Sequence, residues 1–364
     1  MGDPAGVGPP ITVSAWNALK HDPSCCFFVI GAPRLYARDI PVQEISSPAD
    51  AQEIFAHALP VIPLEEVPDI QPGQADDRAA ASIIKSIELA TTLCLDRSAD
   101  GMVTNPINKA LLYGTGFRHP GHTEFVAALC AEGSQTSYLP VMLLTGGGLR
   151  VALATIHVAL KDVFSHLNTK DLATLGEIVA ESMRADFGIA SPRLAFTGLN
   201  PHAGENGTIG REEVDIINPA ASALRAAGID MSDARSADTV FAESLDGRFD
   251  AIIAMTHDQG LIPVKTLDMW GGVNTTIGLP IVRTSPDHGT GYDAAANDTA
   301  RPDRGNCAQG ARSAFPFRSG HFEANGTGRR TDRRPDSHRG WPRSGRAHAR
   351  LAGQWRRQGH RRGG

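Results

Sequence analysis

The stretch FDAIIAMTHDQG, residues 249 to 260, runs from Ala251 to Met255 without a polar side chain and then turns abruptly polar at Thr256 and His257. A short apolar run bounded by turn-forming residues reads as a strand buried on both faces. Strands of that kind belong to sheets covered by helices, and such sheets hold their ligands just beyond the carboxyl ends of the strands. Two further stretches repeat the arrangement. RLAF, residues 193 to 196, leads into TGLNPHAGENG with His202, and VALATIHVAL, residues 151 to 160, carries His157 after its apolar half. Patterns of helical period separate them: residues 78 to 95 (RAAASIIKSIELATTLCL), 168 to 188 with Asn or Thr as a cap and a closing Gly, and 215 to 228. CFFVIG (26 to 31) and GMVT (101 to 104) read as strands, and YLPVMLLTGGGLRVALATIHVAL reads as two strands joined by a Gly turn at 146 to 148. The fold class expected is α/β.

Composition divides the 364 residues unequally. Residues 1 to 296 hold 19 Lys and Arg against 35 Asp and Glu, whereas residues 297 to 364 hold 16 Arg, no Lys and 5 acids. An acidic body speaks against nucleic acid as a partner, because phosphate neutralisation needs clustered Lys and Arg. No apolar run reaches the roughly 18 residues of a membrane span, and MGDPAGVGPP has neither the basic start nor the apolar core of a signal peptide. A cytoplasmic protein without a membrane partner is expected. Five cysteines, with no C-x-x-C pair, read as reduced thiols. The tail from 297 has one Leu and no Val, Ile or Met, too little apolar surface to offset ordering entropy, so it is expected to be disordered. A basic arm and an out-of-frame reading of a GC-rich gene compete for it, and the lack of Lys and of any periodicity favours the second.

Three neutral imidazoles suffice for a divalent metal that keeps positions open for substrate. Each histidine alone is read more readily as a loop residue bonded to backbone, and only the shared strand-end setting brings the metal reading level with it. RHPGHTEF (118 to 125) places His122 and Thr123 at a helix start, a natural anion site. Lys265 in PVKTL and Asn274 and Arg283 in GVNTTIGLPIVRTS add two cations and an amide, and Arg takes phosphate in bidentate fashion. Lys265 is one of only six lysines. The chain has no G-x-G-x-x-G after a strand, no P-loop and no G-x-S-x-G elbow.

Together GDPAGVGP, VTNPINK, GHTEF, TGLNPHAGENGTIGREE, DAIIAMTHDQG and GVNTTIGLPIVRTSPDHGT resemble, in order, the 4-hydroxythreonine-4-phosphate dehydrogenase family of pyridoxal phosphate biosynthesis, from residue 2 to about 296. The resemblance implies an isocitrate/isopropylmalate dehydrogenase-like two-domain fold, which binds NAD or NADP without a Rossmann fingerprint. It implies a cofactor-side domain of residues 1–120 and 266–296, a metal, substrate and dimerisation domain of 121–265, and an active site in the cleft at the interface of a homodimer. His157, His202 and His257 match the ligands of a divalent metal (Zn, Mg or Co), with His157 arriving from the partner subunit. His122, Thr123, Lys265, Asn274 and Arg283 match the substrate positions, and Asp287, His288 and Gly289 are the candidate cofactor contacts. Lys265 is the candidate for proton transfer or for holding a carboxylate. Asp250 is a candidate to orient a metal ligand, against an ordinary strand-start carboxylate. The implied reaction oxidises a small phosphorylated hydroxy acid, 4-phosphooxy-L-threonine, whose 3-oxo product decarboxylates. A paralogue acting on a phosphorylated four-carbon sugar acid and an inactive product of a disrupted gene are the alternatives. Pro10 stands where the family usually has Glu, and NDTARPDRGNCAQGARS replaces the expected closing segment.

Overall fold

The computed structural model describes residues 1–119, 121–132, 136–286 and 289–297. Eleven strands form two sheets among them. The smaller sheet is wholly parallel, with β1 (Val29–Gly31) and β2 (Val42–Glu44) flanking β3 (Leu59–Pro63). The larger holds β4 (Gly101–Val103), β5 (Val141–Gly146), β6 (Leu149–Leu153), β7 (Arg193–Thr197), β8 (Asp230–Arg235), β9 (Ala251–Ala254), β10 (Val273–Ile277) and β11 (Val282–Pro286). Its spatial order is β4-β11-β10-β5-β6-β9-β7-β8. The α/β class expected from the sequence is therefore found, and the larger sheet runs continuously across residues 120/121 and 265/266.

Strand direction places the histidines. β6, β9, β7 and β8 are mutually parallel neighbours, whereas β5, β10 and β11 pair antiparallel. His157, His257 and His202 therefore all leave the sheet at one edge. The sheet is apolar around β9, which is buried at every position, and Leu143, Leu194, Phe196 and Ile253 pack under the helix Thr169–Ala185. Each such side chain contributes roughly 1.5–3 kcal/mol by leaving water. That helix starts as expected, with the Asn168 side chain accepting from the Asp171 N–H at 2.9 Å. The β5–β6 turn is made by Gly147 and Gly148, both at positive φ, as a two-residue hairpin that matches strand twist requires.

One stretch differs from the sequence reading. The polar residues that follow the strand, THDQG, expected as a loop, open the helix His257–Leu267. Thr256 and Gln259 form a capping box that starts it. Gly260 is required by contact, since a Cβ there would lie 2.4 Å from Leu153 Cδ2. Among the described residues no helix is long and apolar enough to cross a membrane, and Cys25, Cys26, Cys94 and Cys130 are free thiols. The Arg-rich tail beyond residue 297 and Cys307 lie outside the described residues.

Candidate active site

Adjacent strand ends bring two of the three histidines together. The His157 and His257 rings stand 5.7 Å apart between centroids, tilted by 42°. The third is held separately, and among the described residues no group of three metal-ligating side chains forms. The resemblance pairs His202 with His257 and brings His157 from a partner; within this chain His157 is the neighbour of His257. The cause is topological, because β6 and β9 are adjacent and parallel, while the chain leaving β7 winds through His202–Asn206 with positive φ at every residue.

The residues fit a divalent metal in their chemistry. His202 Nδ1 is bonded to Glu205 Oε1 and His257 Nδ1 to Asp258 Oδ1, both at 2.8 Å. A carboxylate on one ring nitrogen orients the imidazole and leaves Nε2 for a metal. The Glu205 carboxylate raises the His202 pKa above the ordinary histidine value. Gln259 links the two loops: its Oε1 accepts from the Thr256 N–H at 3.1 Å and from Thr197 Oγ1 at 3.3 Å, and its Nε2 donates to the Gly198 carbonyl at 3.0 Å. A concavity of about 710 Å³ between the loops is lined by Leu160, Phe164, Leu199, Asn200, Thr256 and Gln259, among others. Lys265 shares a second, open groove of about 440 Å³ with His257.

A buried cation marks the second part of the site. Arg283 on β11 is 4 % exposed, and its guanidinium donates from Nε and Nη2 to Thr104 Oγ1 at 3.1 and 2.7 Å and from Nη1 to Thr276 Oγ1 at 2.9 Å. A longer contact of 3.5 Å reaches Thr123 Oγ1. Among the described residues no carboxylate pairs with it. Burial lowers its pKa to about 10, against the pull of the Glu124 carboxylate from beyond ion-pair distance, so it stays charged at neutral pH. An enclosed charge without a counter-ion is costly unless a ligand supplies one. Two enclosed polar atoms, His122 Nε2 and Asn274 Oδ1, have no hydrogen-bond partner among the described residues. Arg283 thus offers charge to an anion, and the two open atoms suit a ligand that also carries hydroxyl or amino donors.

Burial first, and the Arg283 cation second, hold the half-buried His122 well below the ordinary histidine range. The unfolded chain would then take up a proton below pH ~6.5 that the folded chain refuses, so stability falls as pH drops. One proton sets a limit of about 1.4 kcal/mol per pH unit. His122→Asn is expected to remove that slope, measured as the wild-type minus variant difference in denaturant unfolding through the acidic range. Parallel curves would show that His122 does not titrate differently on folding.

The remaining candidates are placed as follows. Thr123 lies in the first turn of the helix His122–Ala131. Asp250 is a correction: both its oxygens are taken by Arg193, at 3.0 Å to Nε and 2.9 Å to Nη2, and it precedes β9 while His257 follows it. A four-residue strand spans roughly 13 Å, so Asp250 serves the opposite edge of the sheet. Asp287 and His288 lie outside the described residues, and Gly289 is exposed, with open space around it. The sequence reading missed Thr104, Thr276 and Lys109, whose Nζ would lie 3.3 Å from a Cβ at Gly121. The VTNPINK motif, which contains Thr104 and Lys109, was the available signal.

Comparison with known proteins agrees with this fold. The family model described as pyridoxal phosphate biosynthetic protein PdxA matches residues 23–309. The 4-hydroxythreonine-4-phosphate dehydrogenase of Caulobacter vibrioides is 49% identical over 306 residues, covering 83% of this chain and 92% of that protein. The crystal structure of the Klebsiella pneumoniae enzyme of the same name superimposes with a TM-score of 0.75 at 34% identity, over 87% of this chain and 97% of the other. A terephthalate 1,2-cis-dihydrodiol dehydrogenase from Burkholderia xenovorans is less similar, with a TM-score of 0.60 and 26% identity over 86% and 94%. The chain belongs to the PdxA family of pyridoxal phosphate biosynthetic proteins.

Proposed function

We propose that this chain is an NAD(P)-dependent and divalent-metal-dependent dehydrogenase. Its reaction would convert 4-phosphooxy-L-threonine to 2-amino-3-oxo-4-phosphooxybutanoate, which loses CO2 to give 3-amino-2-oxopropyl phosphate. The observation that carries this reading is Arg283, buried with no ion pair to a carboxylate among the described residues, near the open atoms of His122 and Asn274. A phosphate supplies the missing counter-charge, and the substrate's amino and hydroxyl groups supply donors. Sequence identity to named 4-hydroxythreonine-4-phosphate dehydrogenases, far above that to the cis-dihydrodiol enzyme, points to the same substrate class.

His157, His202 and His257 would hold the metal, Zn, Mg or Co. When bound, it supplies Lewis acidity that lowers the pKa of the substrate hydroxyl, and NAD(P)+ supplies the hydride acceptor. The chain's own residues do the rest. Arg283 and Thr123 hold the phosphate, and His122 and Asn274 accept from the remaining donors. Lys265, on the helix that His257 begins, holds the carboxylate or moves the hydroxyl proton. Residues 1–120 and 266–296 would form the cofactor side and 121–265 the metal side, with the Asp287–Gly289 run contacting the nicotinamide nucleotide.

A homodimer completes the reading. Leu160 and Phe164 are exposed around the first groove and Ile262 and Met269 around the second, which His257 lines, and Leu160 reaches 74 % exposure. Apolar side chains clustered at a candidate active site favour a subunit interface over open water. The experiment is a nicotinamide-reduction assay with metal present, comparing 4-phosphooxy-L-threonine, L-threonine and 4-phospho-erythronate. Turnover is expected with the first alone. Turnover of the unphosphorylated amino acid at the same efficiency would overturn the phosphate assignment, and preference for the sugar acid would reassign the substrate.

A further inference from the structure

The turn that carries His202 is an unfavourable piece of backbone. His202, Ala203, Glu205 and Asn206 have φ of 52°, 52°, 43° and 57°, with Gly204 between them at 75°. Left-handed conformations are disfavoured for L residues and occur singly as a rule, so four within five residues need support from outside the turn. Bonds of 3-10 type within Pro201–Gly207 hold part of it, together with the Ala203 N–H donating to the Asn200 carbonyl at 3.1 Å, the Thr208 N–H to the Glu205 carbonyl at 3.2 Å and the Ile209 N–H to the Gly204 carbonyl at 3.1 Å, but none of these ties the turn to the rest of the fold.

The support comes from Glu213, which is 1 % exposed. Its Oε1 accepts from the backbone N–H groups of Leu199 and Asn200 at 2.8 and 2.7 Å, and its Oε2 accepts from Asn200 Nδ2 at 2.9 Å. The turn is folded onto this carboxylate, because a Cβ at Gly204 would lie 2.5 Å from Oε2 and one at Gly198 would lie 3.2 Å from Oε1. Glu213 opens a π-helical turn, Glu213–Ile217, a local irregularity that recurs at functional sites. Three donors on one buried carboxylate fix the strand exit two residues before His202.

We propose that Glu213 is a positioning residue for the metal, acting through His202 by holding the left-handed turn in place. This rests on the reading of His202 as a metal ligand. Glu213→Gln preserves size but turns one acceptor into a donor facing N–H groups, so at least one of the three bonds is lost. Cobalt(II) titrated into the full chain, followed by calorimetry and by the visible absorption of the ion, is expected to bind about 10- to 100-fold more weakly in this variant, the usual loss when a group behind a ligand is removed. Turnover should return as cobalt is raised, with KM for the phosphorylated substrate unchanged at saturating metal. A residue that merely stabilised the fold would lower thermal stability without moving cobalt affinity. Asn200→Ala, which removes the Oε2 bond together with the Asn200 Nδ2 bond to Glu212 Oε2 at 2.6 Å but leaves both backbone bonds to Glu213 Oε1, is expected to weaken cobalt binding less, and it decides the matter should Glu213→Gln fail to fold. Cobalt affinity equal to wild type in the folded variant would overturn the inference. Failure of the wild-type chain itself to bind cobalt would overturn the metal reading, and this inference with it.

Discussion

His257→Ala is expected to abolish metal retention and to lower metal-dependent turnover about a thousandfold or more, the scale of several kcal/mol of lost Lewis-acid stabilisation. The fold should survive. His257 is the first residue of its helix, the cap is supplied by Thr256 and Gln259, and alanine is well tolerated in a first turn. Among the described residues the hydrogen bond lost is the one to Asp258, whose side chain is 81 % exposed, and exposed pairs contribute little. His257 is the most informative ligand to remove because it stands beside His157 while its loop is tied through Gln259 to the loop of His202. Metal content after dialysis and turnover are the two measurements. A variant that keeps stoichiometric metal would show that His257 is not a ligand.

The parts of this site that follow local chemistry were readable from the sequence, and the parts that depend on distant contacts were not. Apolar runs ending at His157, His202 and His257 identified three parallel strand ends at one edge of the sheet, because burial on both faces forces the pattern. The helix after His257 does not show in the polar run THDQG, which reads as a loop after the strand, although Thr256 and Gln259 have the spacing of a capping box. Gly260 is in fact set by its contact with Leu153. Asp250 was placed near the metal because it is near His257 in sequence, whereas a strand carries its two ends apart. The hold of Glu213 on the His202 turn and of Thr104 on Arg283 were invisible, the latter joining residues 179 positions apart. Charge type and motif order pointed to Arg283 as an anion binder, but only the fold shows that no carboxylate of the described residues forms an ion pair with it, Glu124 acting only from farther away.

That missing partner determines the second large effect, in Arg283→Lys. The charge is kept, so a site that needed only a cation would tolerate the change. Arg283 does more: its planar group satisfies Thr104 with two N–H groups and Thr276 with a third, at 2.7 to 3.1 Å, and so is oriented before any ligand arrives. A lysine ammonium has three donors in a tetrahedral array and cannot meet both threonines and a phosphate with the same geometry. Losing one or two charge-assisted bonds costs about 1.5–3 kcal/mol each, and 2.7 kcal/mol corresponds to about 100-fold. We therefore expect kcat/KM for the phosphorylated substrate to fall by about two orders of magnitude, while any residual activity on an unphosphorylated analogue is unchanged. Inorganic phosphate should raise the melting temperature of wild type and not of the variant, since a ligand stabilises in proportion to its occupancy of the folded state. Equal phosphate stabilisation of both proteins would mean that the buried guanidinium is a structural cation satisfied by its threonines, and that the substrate's phosphate is held elsewhere.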